Sequence, residues 1–196
     1  MLKDKLSKYN IILASGSPRR QQFFQEMNVP FVIQLKEIEE VYPQSLKAEE
    51  ITNYLAQLKA NAFQVLHTND LLITSDTIVW HEDQALGKPK NYEDAFQMLL
   101  SLSGKTHQVI TSVCFKTINS IETIHEVTKV SFKELSNDEI NYYLEIYKPF
   151  DKAGSYGIQE WIGLIGIICI DGSYTNVVGL PVEKVYTKLL EYAKIN

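Results

Sequence analysis

The sequence predicts an α/β protein with a mixed sheet. Short apolar runs alternate along the chain with segments whose apolar residues recur every three or four positions. Two further runs late in the chain flank Asp171-Gly172, which is a strong signal for a tight hairpin. Strands that alternate with helices usually pair in parallel, whereas a hairpin adds an antiparallel pair. The 196 residues are 45% hydrophobic, which is enough to bury a sizeable core.

Local patterns predict the elements of the first half of the chain. Ser17 suits an N-cap and Pro18 the first position of a helix. Apolar residues between Ile51 and Leu66 recur in helical steps, which predicts an amphipathic helix. The predicted elements are strands over 10–14 and 31–35, a helix from Pro18, a helix over 46–66, and a strand over 71–74 that ends at Ser75-Asp76-Thr77, with 78–80 as an extended continuation.

Capping signals organise the second half. Asn91 suits the N-cap of a helix that stops at Gly104, and Ser136 with Glu139 fits a capping box for a helix that Pro149 ends. No repeat or linker marks a boundary, so we expect a single domain over residues 1–196. The remaining predicted elements are strands over 109–115, 126–132, 164–170 and 174–178, and a final helix from near Pro181 to about Ala193.

Composition argues against several classes of protein. Lys and Arg number 19 and Asp and Glu 24, which gives a formal net charge of −5, so no nucleic acid polymer is expected as a partner. The N-terminus mixes charges, and the longest weakly polar stretch, 161–170, is about half of the ~20 residues that span a bilayer, so we expect no membrane segment and a cytoplasmic location. Cys114 and Cys169 lie in apolar runs and are predicted to be buried free thiols.

The segment from Ala14 to Arg20 is the first candidate site. Small residues at a turn before a helix let backbone N–H groups approach an anion. Arg19 and Arg20 fall in the first helical turn, where the helix dipole disfavours cations unless something negative compensates. A phosphate fits that need, because guanidinium groups bind phosphate oxygens bidentately. The alternative is an ordinary N-cap followed by two solvated arginines.

Carboxylates near predicted strand ends form the second candidate site. Glu40 belongs to an acidic run with Glu37 and Glu39, and Asp76 follows another strand. Carboxylate oxygens suit Mg²⁺ or Mn²⁺, and one carboxylate is suited to act as a general base toward water. A solvated acidic loop and a turn-forming Asp are the alternatives. Lys88, in a rigid turn before Pro89, is a candidate to offset charge on a leaving phosphate or simply an exposed lysine.

A glycine-rich segment over 152–159 is the third candidate site. Its two glycines permit close backbone approach, and the amide of Gln159 offers a donor and an acceptor to a base edge. Glycine-rich turns before strands are common, so an ordinary turn is the alternative.

Taken together, the ordered motifs of this chain resemble those of the Maf family of nucleoside triphosphate pyrophosphatases. The resemblance implies an α/β fold with a long mixed sheet and two lobes around a nucleotide cleft, like that of inosine triphosphate pyrophosphatases, and a homodimer. It also implies cleavage of a nucleoside triphosphate to a monophosphate and pyrophosphate with Mg²⁺ or Mn²⁺. The motifs lie at residues 13–20, 38–40, 75–77, 87–89, 102–107, 151–159 and 178–181.

The resemblance also implies roles for individual residues. Asp76 is expected to activate water, and Glu40 to hold the metal or the water, with Asp76 as a second metal ligand. Phosphates are expected to contact Ser15, Arg20 and Lys88.

Base selectivity is expected to depend on Arg19, Thr77 and Gln159, which match the branch of the family that acts on dTTP and UTP. A 7-methyl-GTP branch carries a Glu-containing loop instead. This chain departs from the family where Glu160 and Trp161 follow Gln159 in place of Gly. Two alternatives stay open: a nucleotide-binding regulator linked to cell division with little turnover, and a pyrophosphatase for a modified purine nucleotide.

Overall fold

A computed structural model describes residues 2–194 and contains one mixed sheet of seven strands. The strand order is β2-β1-β3-β5-β6-β7, with β4 paired to β3. Strand β1 pairs in parallel with β2 and β3, whereas β4 and β7 pair antiparallel with β3 and β6. The predicted mixed α/β fold is therefore confirmed. The strands are β1 (Asn10–Leu13), β2 (Val32–Ile33), β3 (Asp70–His81), β4 (Gln84–Leu86), β5 (Thr106–Lys116), β6 (Ile121–Phe132) and β7 (Ile167–Asp171).

Two of the helix starts predicted from capping residues are confirmed by side-chain hydrogen bonds. The Asn91 side chain accepts from the backbone N–H of Asp94 at 2.9 Å. Ser136 and Glu139 form a reciprocal capping box. Among the described residues no helix is both long enough and apolar enough to span a bilayer. The helices are α1 (Leu2–Lys5), α2 (Pro18–Glu26), α3 (Glu49–Asn61), α4 (Tyr92–Leu102), α5 (Asn137–Tyr147), α6 (Trp161–Gly166), α7 (Tyr174–Val178) and α8 (Val182–Lys194), with a 3₁₀ turn at Ala153–Ser155.

Close backbone contacts divide the chain into two units, each with its own core. The first unit comprises the chain up to Asp76, Thr111–Glu126 and the chain from Gly179 onward; the second comprises Thr77–Ile110 and Val127–Val178. In the first unit the buried side chains include Leu13, Phe24, Leu71, Phe115 and Leu189, which bring α2 and α8 against the sheet. In the second they include Val79, Leu99, Phe132, Tyr143 and Ile162, which bury one face each of α4 and α5.

The predicted hairpin around Asp171-Gly172 is wrong. Residues 164–166 belong to α6, and residues 174–178 form α7 rather than a strand. Two local features account for this. A Cβ at Gly163 would lie 1.9 Å from the carbonyl oxygen of Ile158, so this glycine lets the start of α6 approach the preceding turn. Ser173 Oγ accepts from the backbone N–H of Asn176 at 3.3 Å, which is an N-cap contact and starts a helix.

Four further predictions are corrected by the structure. Strand β3 runs without a break through Ser75-Asp76-Thr77 to His81, so the predicted strand end at these residues is wrong and the extended continuation over 78–80 is confirmed. Asp76 therefore lies in the interior of β3. Cys114 is buried as predicted, but Cys169 lies on β7 and is exposed, because side chains on both faces of this strand are open to solvent over residues 168–171. Both thiols are free. The helix predicted over 46–66 is shorter, and the strand predicted over 31–35 is limited to Val32–Ile33.

Candidate active site

Ser15 marks the turn between β1 and α2 in the first unit. Its side chain is buried, and its Oγ accepts from the backbone N–H of Ser17 at 3.3 Å. Its carbonyl oxygen accepts from Nε2 of Gln21 at 3.0 Å. Ser17 is the N-cap residue and Pro18 occupies the first turn, as the sequence predicted, although the Ser17 side chain makes no capping hydrogen bond. The turn is therefore held by Ser15 rather than by Ser17.

Arg20 projects from the first turn of α2 and ties three segments of the first unit together. Its Nε donates to the carbonyl oxygen of Gly179 at 2.8 Å, and its Nη1 donates to that of Ser75 at 2.9 Å and to Ser15 Oγ at 3.4 Å. Burial lowers the pKa of Arg20 from its ordinary value, while Asp76 and Glu40 oppose that shift. The group remains a cation, because an arginine starts so far above neutral pH. Arg20 thus fixes a positive charge beside Asp76.

Asp76 is joined to Glu40 through a lysine that the sequence did not single out. Nζ of Lys59, on α3, lies 2.7 Å from Oδ1 of Asp76 and 3.0 Å from Oε1 of Glu40. Asp76 is 6% exposed, whereas half of the Glu40 side chain is accessible to solvent. The structure therefore brings Ser15, Arg20, Glu40 and Asp76 into one part of the first unit, through contacts with Lys59 and with the turn after β1.

Burial raises the pKa of Asp76 above its ordinary value, and Lys59 and Arg20 oppose the rise. A carboxylate with a raised pKa is a better proton acceptor than an ordinary one while it is still ionised near neutral pH. Lys59 and Arg20 keep the ionised form accessible, because an opposite charge within a few ångströms favours the charged state. The group of four side chains formed by Arg20, Glu40, Lys59 and Asp76 is called the carboxylate–lysine cluster below.

The role of Lys59 escaped sequence reasoning for a physical reason. It falls on an amphipathic helix where a lysine ordinarily belongs to the solvated face. Its 18% exposure and two carboxylate partners come from the packing of α3 against β3. The Thr74 hydroxyl, which donates to the carbonyl oxygen of Ala56 at 2.6 Å, is a second contact of that packing. The only signal in the sequence is a lysine late on an otherwise apolar helix face, ahead of a strand that contains Asp76.

The other predicted site residues are placed as follows. Arg19 is half-buried in α2, and Thr77 is half-buried in β3, in the second unit. Lys88 is exposed in the loop after β4, and the loop is attached to the second unit by a hydrogen bond from Gly154 N–H to the carbonyl oxygen of Gly87 at 3.1 Å. Gln159 is exposed in a turn before α6. Each is thus available at a surface or part-buried position of its own unit.

The carboxylate–lysine cluster fits a divalent metal of the kind that binds polyphosphates. One oxygen of Glu40 and one of Asp76 lie within 3.0 Å of Lys59 Nζ, so the two carboxylates are close enough to share a single cation, which in this structure is the Lys59 ammonium. Mg²⁺ is commonly held by one or two carboxylates together with substrate phosphates and water. The described residues contain no group of three or more His, Cys, Asp or Glu that could hold a metal by themselves. Substrate oxygens and water are therefore needed to complete such a site.

The chain is similar to known proteins over nearly its whole length. A family model described as Maf-like protein matches residues 10–192. A relative from Flavobacterium johnsoniae, named dTTP/UTP pyrophosphatase, is 64% identical over 190 residues, which are 96% of this chain and 98% of the relative. A relative from Flavobacterium psychrophilum with the same name is 63% identical over 193 residues, 98% of this chain and 99% of the relative.

A solved structure shares the fold at low identity. A HAM1 protein from Coxiella burnetii matches with a TM-score of 0.50 and 15% identity, covering 93% of this chain and 99% of that chain. At this identity the likeness concerns the fold alone.

Proposed function

The chain belongs to the Maf family, as its motifs predicted, and on that premise we propose that it hydrolyses dTTP and UTP to the monophosphate and pyrophosphate. The observation that carries this proposal is the buried carboxylate of Asp76, held by Lys59 beside the guanidinium of Arg20. A buried carboxylate with a raised pKa and two neighbouring cations suits a general base that works where phosphate charge accumulates.

The proposed reaction follows from that geometry. Asp76 accepts a proton from a water molecule as the water oxygen forms a bond to the α-phosphorus. The bond from that phosphorus to the α–β bridging oxygen breaks, and the electron pair leaves with pyrophosphate. Ser15 and Arg20 contribute hydrogen-bond donors for phosphate oxygens, and Lys88 is assigned to the leaving phosphates by the family resemblance. Glu40 and Asp76 would hold a divalent metal, which would neutralise charge on the polyphosphate when bound.

Base selectivity is assigned to Arg19, Thr77 and Gln159. Their donors and the neutral amide suit the carbonyl oxygens and N3–H of uracil or thymine. A 7-methylguanine carries delocalised positive charge, which a cationic Arg19 disfavours. The match of these three residues to the dTTP/UTP branch supports the assignment, as do the names of the relatives. The homodimer, the single domain and the cytoplasmic location stay predictions.

A nucleotide panel tests the proposal directly. Pyrophosphate release is measured from UTP, dTTP, GTP, inosine triphosphate and 7-methyl-GTP, with Mg²⁺ and with Mn²⁺. The highest kcat/KM for UTP and dTTP is the expected result. A preference for a purine nucleotide would reject the base assignment and keep the pyrophosphatase activity. Tight nucleotide binding with no turnover on any nucleotide would instead support the regulator alternative.

Removal of the Lys59 charge is expected to move the pH dependence of the reaction. Lys59→Met deletes the ammonium that opposes the raised pKa of Asp76, so that pKa rises further. Because the ionised carboxylate is the active form, the acidic limb of kcat/KM for UTP should move to higher pH. The profile is measured between pH 5 and 9. Lys59→Arg is the matched control, since it keeps a cation and should keep the limb near that of the wild type; an unmoved limb in Lys59→Met would contradict the assignment.

Chelation is expected to stop the reaction. The polyphosphate of the substrate carries several negative charges, and together with the carboxylates of Glu40 and Asp76 these exceed what Lys59 and Arg20 neutralise, so a divalent cation is expected to be required. Pyrophosphate release is measured after dialysis against EDTA and after Mg²⁺ or Mn²⁺ is restored. Recovery on metal addition shows that the protein stayed folded. Full activity in the metal-free protein would remove the metal from the proposal.

A further inference from the structure

Glu160 follows Gln159 in the sequence, and the contacts of its carboxylate all lie within the second unit. Glu160 closes a tight turn in which its own N–H donates to the carbonyl oxygen of Gly157 at 3.0 Å. Ile158 and Gln159 are the central residues of that turn. Ile158 is buried and anchors it, whereas Gln159 is exposed. The backbone position from which the Gln159 side chain extends is therefore set by what holds the Gly157–Glu160 turn.

Gly157 shows that the Gln159 amide and the Glu160 carboxylate are close together. A Cβ built on Gly157 would lie 2.9 Å from Nε2 of Gln159 and 2.9 Å from Cδ of Glu160. Both side chains therefore cover the same glycine, which is itself buried. Any larger residue at 157 would displace one or both of them. A negative charge on Glu160 is thus placed beside the amide that is proposed to read the base.

Both carboxylate oxygens of Glu160 are occupied by donors from the second unit. Oε2 accepts from the hydroxyl of Tyr143, on α5, and the Tyr143 oxygen in turn accepts from the backbone N–H of Gly157 at 3.0 Å. Oε1 lies 3.0 Å from Nζ of Lys152, which also contacts Asp151. Tyr143 is fully buried, and the Lys152 side chain is 11% exposed. These three side chains, Tyr143, Lys152 and Glu160, are called the Glu160 network.

The chemistry of the network fixes the direction of each hydrogen bond. Burial and the neighbouring Glu160 carboxylate raise the pKa of Tyr143 well above its ordinary value, so its phenol stays protonated and donates. Lys152 supplies the opposite charge for the carboxylate in a poorly solvated position, where such a pair is stronger than at an open surface. An ionised Glu160 therefore faces one phenol donor and one cation, and the backbone of the turn is tied to the same phenol.

We propose that Glu160 is a positioning residue. The Glu160 network holds the Gly157–Glu160 turn so that the Gln159 amide is presented to a pyrimidine base. Tyr143 and Lys152 keep the Glu160 carboxylate away from that base. The inference rests on the proposed function, since it gives a cause for the base selectivity assigned to Gln159. It also gives a role to Glu160, which stands where the family motif has Gly. The extra carboxylate does not serve as the base reader of the 7-methyl-GTP branch.

Removing the cation alone tests the proposal with a specific direction of change. Lys152→Met leaves the carboxylate uncompensated beside Gln159, which attracts a positively charged base. The ratio of kcat/KM for 7-methyl-GTP to that for UTP is expected to rise about tenfold, with the change mainly in KM. The double variant Lys152→Met/Glu160→Gln removes the charge and keeps an acceptor for Tyr143, so its ratio should return to within about threefold of the wild type. If the network has only a structural role, Lys152→Met should instead lower activity on all nucleotides, and the double variant should not restore it.

Controls separate failure of this inference from failure of the proposed function. Lys133→Met removes another ion-paired lysine of the same unit, whose partner is Glu139, and should leave the ratio unchanged. Gln159→Ala should lose the preference for UTP. If Gln159→Ala loses the preference but Lys152→Met keeps the wild-type ratio, the network is wrong and the proposed function stands. The proposed role of the network would also be rejected if the ratio shifted equally in Lys152→Met and in the double variant. An unchanged preference for UTP in Gln159→Ala would reject it as well.

A binding measurement extends the test to a protein without turnover. If the wild type releases no pyrophosphate, the proposed hydrolysis fails. The Kd values of the α,β-imido analogues of UTP and 7-methyl-GTP then give the same ratio for the same variants. A tenfold shift in Lys152→Met that reverts in the double variant supports the network as a determinant of base preference. No shift overturns it.

Discussion

Replacement of Asp76 by Asn is expected to lower kcat for UTP by at least ~10²-fold, the lower end of what a positioned general base contributes. In the native protein Lys59 Nζ donates to Oδ1 of Asp76 at 2.7 Å. Asn has the shape of Asp, and its side-chain oxygen can still accept this hydrogen bond. It cannot accept the proton of the attacking water. The loss is therefore expected in kcat rather than in KM.

The measurement is steady-state pyrophosphate release at saturating UTP and metal, with circular dichroism as the check on folding. Asp70→Asn is the matched control, because Asp70 is also a buried carboxylate of β3, and it is bonded to Asn10 at 2.9 Å rather than to the carboxylate–lysine cluster. That variant should keep wild-type turnover. Near-normal turnover in Asp76→Asn would remove Asp76 from the role of base.

Replacement of Arg20 by Ala is expected to lower kcat/KM by about 10²-fold for every nucleoside triphosphate alike. Charged hydrogen bonds of a guanidinium to phosphate oxygens are worth a few kcal/mol and carry no information about the base. The same change removes the donors to Gly179 and Ser75 and a cation that opposes the raised pKa of Asp76, so the acidic limb of the pH profile should also move upward.

The nucleotide panel and thermal unfolding together separate these effects of Arg20→Ala. Arg20→Lys keeps the charge but loses the fork of donors, and should fall between the wild type and Arg20→Ala. Lys5→Ala, an exposed cation of the same unit, is the control for a general change in net charge. A loss confined to one nucleotide would contradict the assignment of Arg20 to phosphate.

The parts of the structure that were predictable depend on short-range rules. The capping box at Ser136 and Glu139 involves residues three apart and forms as the spacing predicted. The N-cap at Asn91 is of the same kind. In each case the hydrogen bonds join neighbours in the sequence, so no knowledge of tertiary packing was needed.

The parts that failed depend on contacts between distant residues. Lys59 meets Asp76 only because α3 packs on β3, and the sequence pattern shows only that Lys59 is on a helix. The sequence predicts a strand end at Ser75-Asp76-Thr77, whereas β3 continues through these residues to His81. A strand that carries an ionisable group in its buried interior breaks the local pattern, and departures of that kind are expected at functional sites.

Strand β7 has a consequence for the behaviour of the purified protein. It is the last strand in the sheet order, and Ile168 and Ile170 on it are 69% and 38% exposed. An exposed apolar edge strand is a template for pairing with other chains, and proteins usually blunt such edges with bulges or charges. Here the features of that kind are the register irregularity of the β6–β7 pair between Ser131 and Phe132 and the carboxylate of Asp171 on β7. We therefore expect substitutions near Asp171 to lower solubility at high protein concentration, so soluble yield is measured separately from turnover for such variants.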